Sequence, residues 1–582
     1  MKVFLDLAWF FKQEKKAYIT GVTLLLLIAL LQLLPPKIIG WAADEIQDGT
    51  MTKGLLVKWI FILAVVGVLI YIIRYAWRIL IFGSSVKLSK ILRNRLYQQF
   101  TTMSPNFYQK NRVGDLMAHA TNDLSAIQQT AGSGILTLVD SLSTGGFVII
   151  AMAVTISWKL TLICLLPMPI MAVLTNWYGT MLHKSFYKAQ EAFSALNDKT
   201  QESISGIKVL KTFGQEQDDI EDFRKRSEDV VQKNIGVAKI DSLYDPTISL
   251  IVGISFFLSI SFGAKYVIDG EMSIGQLISF TAYLGLLVWP MLAFGWLFNI
   301  VERGRASYDR VSGLLQQQPE ITDSETASGI VPFGDIQYRL DEFTYPEEAQ
   351  PVLKDVDFTL HCGDTLGIAG KTGSGKTTLL KLLIREFKGY QGEILFGGKR
   401  IEDYKLEKLR QAIGYVPQDP FLFSATVAEN IAFVNPKASM EEIEKAAKLA
   451  HIHEDIQQFT DGYQTVVGER GVSLSGGQKQ RISIARALLM NPELLLLDDA
   501  LSAVDAKTEE AILTSLRANR KGKTTIITSH RLSAIQHANL ILVIEDGRII
   551  QKGTHEELMS VDGWYKETYE HQQLEELIGR GG

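Results

Sequence analysis

Residues 370–378 read GKTGSGKTT. Gly370, Gly375, Lys376 and Thr377 fit the spacing G-x-x-x-x-G-K-[ST], and Lys371, Thr372, Gly373, Ser374 and Thr378 fill out the run. The chemistry this spacing supports is phosphate binding. Glycines let backbone N–H groups and a helix amino end face phosphate oxygens, Lys376 adds a cation, and Thr377 offers a hydroxyl to Mg²⁺. The context agrees, since strand-like TLGIAG precedes the run and helix-like TLLKLLIREF follows it. A second strand should end in a carboxylate for the magnesium shell. LLLLDDALSAVD, residues 494–505, is an apolar run that ends in Asp498. The two motifs imply a P-loop hydrolase that uses a nucleotide and Mg²⁺, but not the work it does.

A third motif narrows the class. LSGGQKQR, residues 474–481, places Ser475, Gly476, Gly477 and Gln478 at the opening of a helix. That is a second phosphate-facing helix end. A chain that already has its own phosphate site at 370–377 needs a reason to carry another.

The elements that must position these motifs divide the chain. At 582 residues it should hold two or more domains. Hydrophobic residues are 47% and charged residues 21%, an average that hides a membrane-spanning first half and a soluble α/β second half. Candidate spans lie near 17–42, 55–82, 133–157, 158–181, 245–268 and 273–299. Helices are the expected form, because lipid cannot satisfy open backbone groups. The connections after the second and fourth spans are long, with helical spacing in KLSKILRNRLYQQF and AQEAFSALNDKTQESISGIKVL. They also carry most of the basic residues, including Lys87, Arg93, Lys110, Lys184, Lys208 and Arg224. Both arms, both termini and the ATPase domain are therefore expected on the cytoplasmic side of the cell membrane. The expected organisation is a membrane domain over 1–315, a linker over 316–335 and a nucleotide-binding domain over 336–582.

A formal net charge of -5 argues against nucleic acid as a partner. Cys164 falls in a predicted span and Cys362 in the soluble half, so no disulfide framework is expected. The opening MKVFLDLAWFFKQEKKAYITG reads as an amphipathic lead-in to a retained first helix, because its apolar stretch is too long for a signal peptide. A simple membrane anchor needs one span; six with long helical arms suit the transmission of movement.

With these motifs in this order, the chain resembles the ATP-binding cassette (ABC) family over essentially its whole length. The resemblance implies ATP and Mg²⁺ as cofactors. It makes Tyr345 in FTYPEE the aromatic that stacks on adenine, and Gln418 in GYVPQDP a member of the magnesium shell, with Thr377 and Asp498. It places Glu469 in the segment facing the membrane arms, and lets SAVD, Ser502 to Asp505, cross to a second cassette. His530 in TSHRLS becomes the histidine at the γ-phosphate. The first half resembles the exporter branch. NRVGDLMAHATNDLSAI and SISGIKVLKTFGQEQ resemble the stretches that hold the two coupling helices. Six spans and one cassette make a half-transporter. In this family ATP sits between one chain's phosphate loop and the other chain's LSGGQ, so a second half-transporter is an expected partner.

Asp499 departs from the family pattern, in which glutamate follows the magnesium aspartate and polarises the attacking water. The missing methylene withdraws the carboxylate by roughly 1 to 1.5 Å, and a displacement of that size can cost on the order of 100-fold in a positioned reaction. Acidity is not the issue, since Asp and Glu differ by only about 0.4 in reference pKa. An intact LSGGQ beside a short base implies pairing with a different half-transporter that carries the catalytic Glu. The pattern is that of heterodimeric bacterial multidrug exporters, moving amphipathic or hydrophobic small molecules through the lipid bilayer. A homodimer that tolerates aspartate, a lipid flippase and an ATP-gated sensor or channel are the alternatives. Aromatic residues in the spans, among them Tyr71, Trp77, Trp177 and Trp289, either line a cargo cavity or face lipid. Asp140 is either a functional ionisable residue at lipid depth or a solvated one on a helical extension.

Overall fold

The computed structural model describes residues 2–346, 348–468 and 473–580. The chain forms two compact units, one of residues 1–101 and 112–317, the other of 102–111 and 318–582.

The first unit is helical. Its helix Lys53–Thr102 is 50 residues long. At about 1.5 Å per residue it is more than twice the ~30 Å of a bilayer core, so most of its second half lies beyond the hydrocarbon. Met168–Ser205 and Glu216–Asp241 form the second arm and pack against each other. Small residues bring helices close: a Cβ on Gly304 would meet Thr130 Oγ1 at 1.8 Å, and that hydroxyl donates to the Ile300 carbonyl at 3.1 Å. The last helix, Ile274–Gln316, starts on a capping box at Ser273. Asp44 secures that start, accepting from Ser273 Oγ at 2.8 Å and from the Gly275 N–H at 2.7 Å.

One expectation is refined and one needs correction. Among the described residues, five single helical stretches are each long and apolar enough to span: Lys15–Gln47, Lys53–Thr102, Val113–Leu165, Glu216–Ile268 and Ile274–Gln316. The run expected at 158–181 is divided between Trp158–Leu165 and Met168–Ser205. Pro167 interrupts it, and the longer piece soon becomes polar. The short helix at the turn of the first arm is Pro105–Lys110, just ahead of NRVGDLMAHATNDLSAI. Pro105 begins it, where a missing N–H costs nothing. Asn111 and Arg112 are extended, and the quoted stretch opens the returning helix, Val113–Ala118, instead. At the second arm the expected position holds, with the short helix Ile207–Phe213 closed by Gly214 at φ 65°.

The second unit is built on strands β1 (Ile336–Phe343), β2 (Leu353–Leu360), β3 (Thr365–Ala369), β4 (Gln391–Phe396), β5 (Lys399–Arg400), β6 (Ile413–Val416), β7 (Ala425–Thr426), β8 (Val466–Val467), β9 (Leu494–Asp498), β10 (Thr524–Thr528), β11 (Leu540–Glu545) and β12 (Arg548–Gly553). The main sheet has the order β12-β11-β3-β10-β9-β6, parallel except for the edge strand β12. A smaller antiparallel sheet has the order β2-β1-β4-β5. Every residue of β9 is buried. Leu495 and Leu497 join one apolar core and Leu494 and Leu496 the other, as alternating side chains of a strand covered on both faces must.

Candidate functional site

Four parallel strands end on the same side, and each is followed by residues singled out in the sequence. β3 runs into the phosphate loop, β6 into Gln418, β9 into Asp498 and Asp499, and β10 into His530. The register sets Thr528 beside both Asp498 and Ile368, so the loops leave the sheet at one level. This is where open α/β sheets hold their ligands.

The phosphate loop needs its glycines. Gly370, Gly373 and Gly375 all have positive φ, and a Cβ on Gly370 would meet the Ile544 carbonyl oxygen at 2.2 Å. Lys376 is buried inside the loop, its Nζ donating to the Gly370 and Lys371 carbonyls at 2.7 and 2.8 Å. Burial pushes its ammonium below the ordinary lysine range, while Asp499 and Asp498 pull it back up. Ser374 Oγ is buried without a hydrogen-bond partner among the described residues. A loop with a buried cation and an unspent hydroxyl suits a phosphate group. Thr372 and Gly373 are exposed at its crest, and Lys371 pairs with Glu545 at 2.9 Å. Tyr345 is tied to this end through its hydroxyl, 2.9 Å from Thr378 Oγ1, with its ring edge-on to Phe387.

Asp498 gathers three hydroxyls. Thr377 Oγ1 and Thr528 Oγ1 donate to its Oδ1 at 2.9 and 2.8 Å, and Tyr415 donates to its Oδ2 at 3.2 Å. The result is a compact set of hard oxygen donors, which fits Mg²⁺. Asp499 follows at φ 46°, a left-handed conformation that aspartate tolerates better than most residues. Its N–H donates to the Thr528 carbonyl at 3.1 Å and to Thr528 Oγ1 at 3.0 Å. Gln418 Nε2 reaches its Oδ2 at 3.4 Å. Burial pushes the Asp499 carboxyl up, against the opposing pull of His530.

Ser475, Gly476, Gly477 and Gln478 open the helix Gly476–Leu489. Ser475 Oγ accepts from the Gln478 N–H at 3.2 Å, and Gln478 Oε1 accepts from the Ser475 N–H at 3.1 Å. A Cβ on Gly477 would lie 2.7 Å from the Ala503 carbonyl oxygen, so SAVD sits close against the glycines. Among the described residues, these four make no hydrogen bond to the phosphate loop of the same chain. Glu469 lies outside the described residues.

Several residues of this constellation carry no sequence signal of their own. Gln480, 3% exposed, donates to Ser502 Oγ at 3.2 Å and accepts from the Ala503 N–H at 3.0 Å, clamping the SAVD loop. Its place inside LSGGQKQR was visible, its inward direction was not. Tyr415 and Thr528 look like ordinary strand residues until the register brings them to Asp498.

In the membrane unit, a cavity of about 690 Å³ is lined by Trp77, Trp289, Trp296, Arg74, Arg78 and Asp140, among others. Trp77 and Trp289 thus line a cavity, whereas Tyr71 and Trp177 are not among its lining residues. Asp140 faces the cavity and accepts from Thr144 Oγ1 at 3.1 Å. The two arginines were not anticipated; their spacing of one helical turn was the available sign.

A helical membrane region joined to a P-loop α/β ATPase defines an ATP-driven membrane transporter. Residues 17–291 match the family model described as "ABC transporter transmembrane region", and residues 353–502 match "ABC transporter". The chain belongs to the ABC transporters and has the architecture of a full-length exporter chain. It is 48% identical over 568 residues, 98% of this chain and 97% of the relative, to the "Probable multidrug resistance ABC transporter ATP-binding/permease protein YheI" of Bacillus subtilis. It is equally 48% identical over 580 residues to the "Multidrug resistance-like ATP-binding protein MdlA" of Escherichia coli, covering 99% and 98% of the two chains. An "ATP-dependent lipid A-core flippase" of Syntrophus aciditrophicus is 33% identical over 532 residues, covering 90% and 87%. Among solved structures, a bacterial Atm1-family ABC exporter with ATP bound matches with TM-score 0.80 at 25% identity, covering 96% of this chain and 98% of that one. The chain is therefore a multi-pass membrane protein with an ATPase domain that drives export.

Proposed function

We propose that this chain is one half of a heterodimeric exporter of amphipathic compounds and contributes the weakly hydrolysing member of two ATP sites. The observation that carries this reading is the pairing of Asp499, with its short carboxylate at the base position, and a fully formed capping box at Ser475 and Gln478. Thr377, Asp498 and Gln418 would hold Mg²⁺, which would supply charge neutralisation to bound phosphates. Residues 370–378 cradle the phosphates, Tyr345 receives the adenine and His530 meets the γ-phosphate. Asp499 orients water from a withdrawn position, so this site binds ATP and turns it over slowly. Ser475 to Gln478 complete the competent site of a partner that carries glutamate. ATP binding between the cassettes favours the closed pair, and the arms carry that preference to the membrane helices. Functionally the membrane domain is 1–315 and the ATPase domain 336–582, with the ATPase domain and both termini cytoplasmic.

The tryptophan-lined cavity, with Arg74, Arg78 and Asp140 at its wall, suits amphipathic cargo. The multidrug names of the 48% identical relatives favour this cargo class. A lipid-flipping reading has the 33% identical flippase in its favour. Mild-detergent purification of the tagged chain from its native membrane, with mass spectrometry, tests the assembly. An equal amount of a second half-transporter with glutamate at the base position is expected; recovery of this chain alone rejects the heterodimer. Vesicles containing the pair should accumulate a fluorescent amphiphile in an ATP-dependent way, and lipid translocation without dye uptake would favour the flippase.

A further inference from the structure

The helix Trp564–Arg580 carries Tyr565, Tyr569 and Gln572 on one face, at spacings of four and three residues. Tyr565 is fully buried, with its hydroxyl 2.8 Å from His555 Nδ1 and its N–H donating to Gln551 Oε1 at 3.0 Å. Tyr569 donates to Gln536 Oε1 at 2.9 Å, and the two tyrosine rings stack at 6.3 Å. Two aromatic anchors thus seat the helix just ahead of Gln572.

Gln572 turns both the donor and the acceptor end of its side-chain amide to the loop that carries His530. Its Nε2 donates to the His530 carbonyl at 2.8 Å, and its Oε1 accepts from the Leu532 N–H at 2.9 Å. The acceptor and donor lie two residues apart, so the loop cannot slide or rotate there without breaking one of the two bonds. No strand holds this stretch, because β10 ends at Thr528. Its other ties lead back into the site. The Ser529 N–H donates to the Ile368 carbonyl at 3.2 Å, and the Arg531 guanidinium donates to the Val504 carbonyl at 3.0 Å and to Glu509 at 2.9 Å. The His530 backbone amide also lies within hydrogen-bond reach of the Asp499 carboxylate.

We propose that Gln572 is a positioning residue for ATP hydrolysis: from the C-terminal helix it brackets the His530 backbone and sets where the histidine ring stands relative to Asp499. The proposal rests on the reading of His530 as the γ-phosphate contact. An ångström of misplacement can cost about 100-fold in a positioned reaction, and a loosened loop samples part of that range. Gln572→Ala should therefore lower kcat at this chain's own ATP site about 10-fold. KM for ATP should stay within about 2-fold, because the phosphate loop and Tyr345 are untouched.

The experiment uses the full-length transporter with the partner's base-position glutamate changed to glutamine, so that the turnover read is that of this chain's own site, and the variants Gln572→Ala, Gln573→Ala and His530→Ala. Gln573 is the control: among the described residues its amide bonds to the Tyr569 hydroxyl, at 3.3 Å on the same helix, and not to the His530 loop. Hydrogen exchange of residues 529–533 is measured together with kcat and KM. Faster exchange and a lower kcat at nearly constant KM in Gln572→Ala, with neither change in Gln573→Ala, support the proposal. Unchanged exchange in Gln572→Ala refutes the bracket itself. Faster exchange with unchanged kcat, while His530→Ala loses turnover, refutes the positioning role and leaves the reading of His530 standing. Full turnover in His530→Ala removes that reading, and this proposal with it. A fall in melting temperature with a matching rise in KM would reduce Gln572 to a structural brace and overturn the proposal.

Discussion

The phosphate-loop end of the ATPase unit and its signature end are made in opposite ways. At the phosphate-loop end, residues from four strands converge, with glycines at positive φ, a buried lysine and two adjacent carboxylates. At the signature end, one helix begins on a capping box, and its glycines admit the SAVD backbone. The first arrangement depends on many distant parts holding sub-ångström positions, so one lost methylene at residue 499 is felt. The second is local and tolerates little change, but here nothing has changed. On the heterodimer reading proposed above, such a chain would serve its partner's chemistry better than its own.

The sharpest way to break this comparison is to damage each end in turn within the assembled transporter. Ser475→Arg should abolish the cap and block the partner's site, with turnover falling on the order of 100-fold. Lys376→Ala should cost only a few-fold, since the site it serves contributes little. ATP turnover of the two variants decides the matter; equal losses would make the ends equivalent and support a homodimer.

Asp499→Glu restores the longer carboxylate and should raise turnover at this chain's own site by up to about 10-fold. Wild-type turnover in that variant would mean that side-chain reach is not what limits the site. The expected stability cost is small, because glutamate accepts the φ of 46° less readily than aspartate.

Gln480→Ala leaves the Ala503 N–H without its acceptor in a buried place. A loss of roughly 1–3 kcal/mol is expected, read as a lower melting temperature. The effect should couple to Ser502→Ala in a double-mutant cycle, because the two side chains share a hydrogen bond.

The smallest effect concerns charge. Burial raises the Asp499 carboxyl above its ordinary range, so the ionised form costs folding stability at neutral pH. That cost is absent below the ordinary aspartate pKa and develops as pH climbs through the raised one. Asp499→Asn should therefore stabilise by about 0.5–2 kcal/mol at neutral pH, with the gain fading on acidification. Melting curves at neutral and acidic pH check this; a pH-independent gain would point to packing rather than charge.

The motifs were legible because each is short and local. The phosphate loop could be read from glycine spacing, the strand β9 from its leucines, and the arms from the length of helical pattern between spans. Composition does not show where Pro167 divides the run at 158–181 into two helices, and the first arm turns earlier than the quoted stretch because Pro105 starts a short helix. Trp77 and Trp289 could not be told apart from Tyr71 and Trp177 by type, since only packing decides which aromatic faces a cavity.

What the sequence by itself determined is the family, the two-part architecture and the presence of an ATP-binding domain, with an aspartate at position 499. Residue type and local spacing suffice there, because backbone phosphate binding and helix capping are local physics. Only the tertiary structure decided which side chains serve those motifs from a distance. Thr528 reaches Asp498 through strand register, Gln480 reaches the SAVD loop by facing inward, and Gln572 reaches His530 from 42 positions away. Such contacts depend on how sheets and helices stack, and no window of sequence contains both partners.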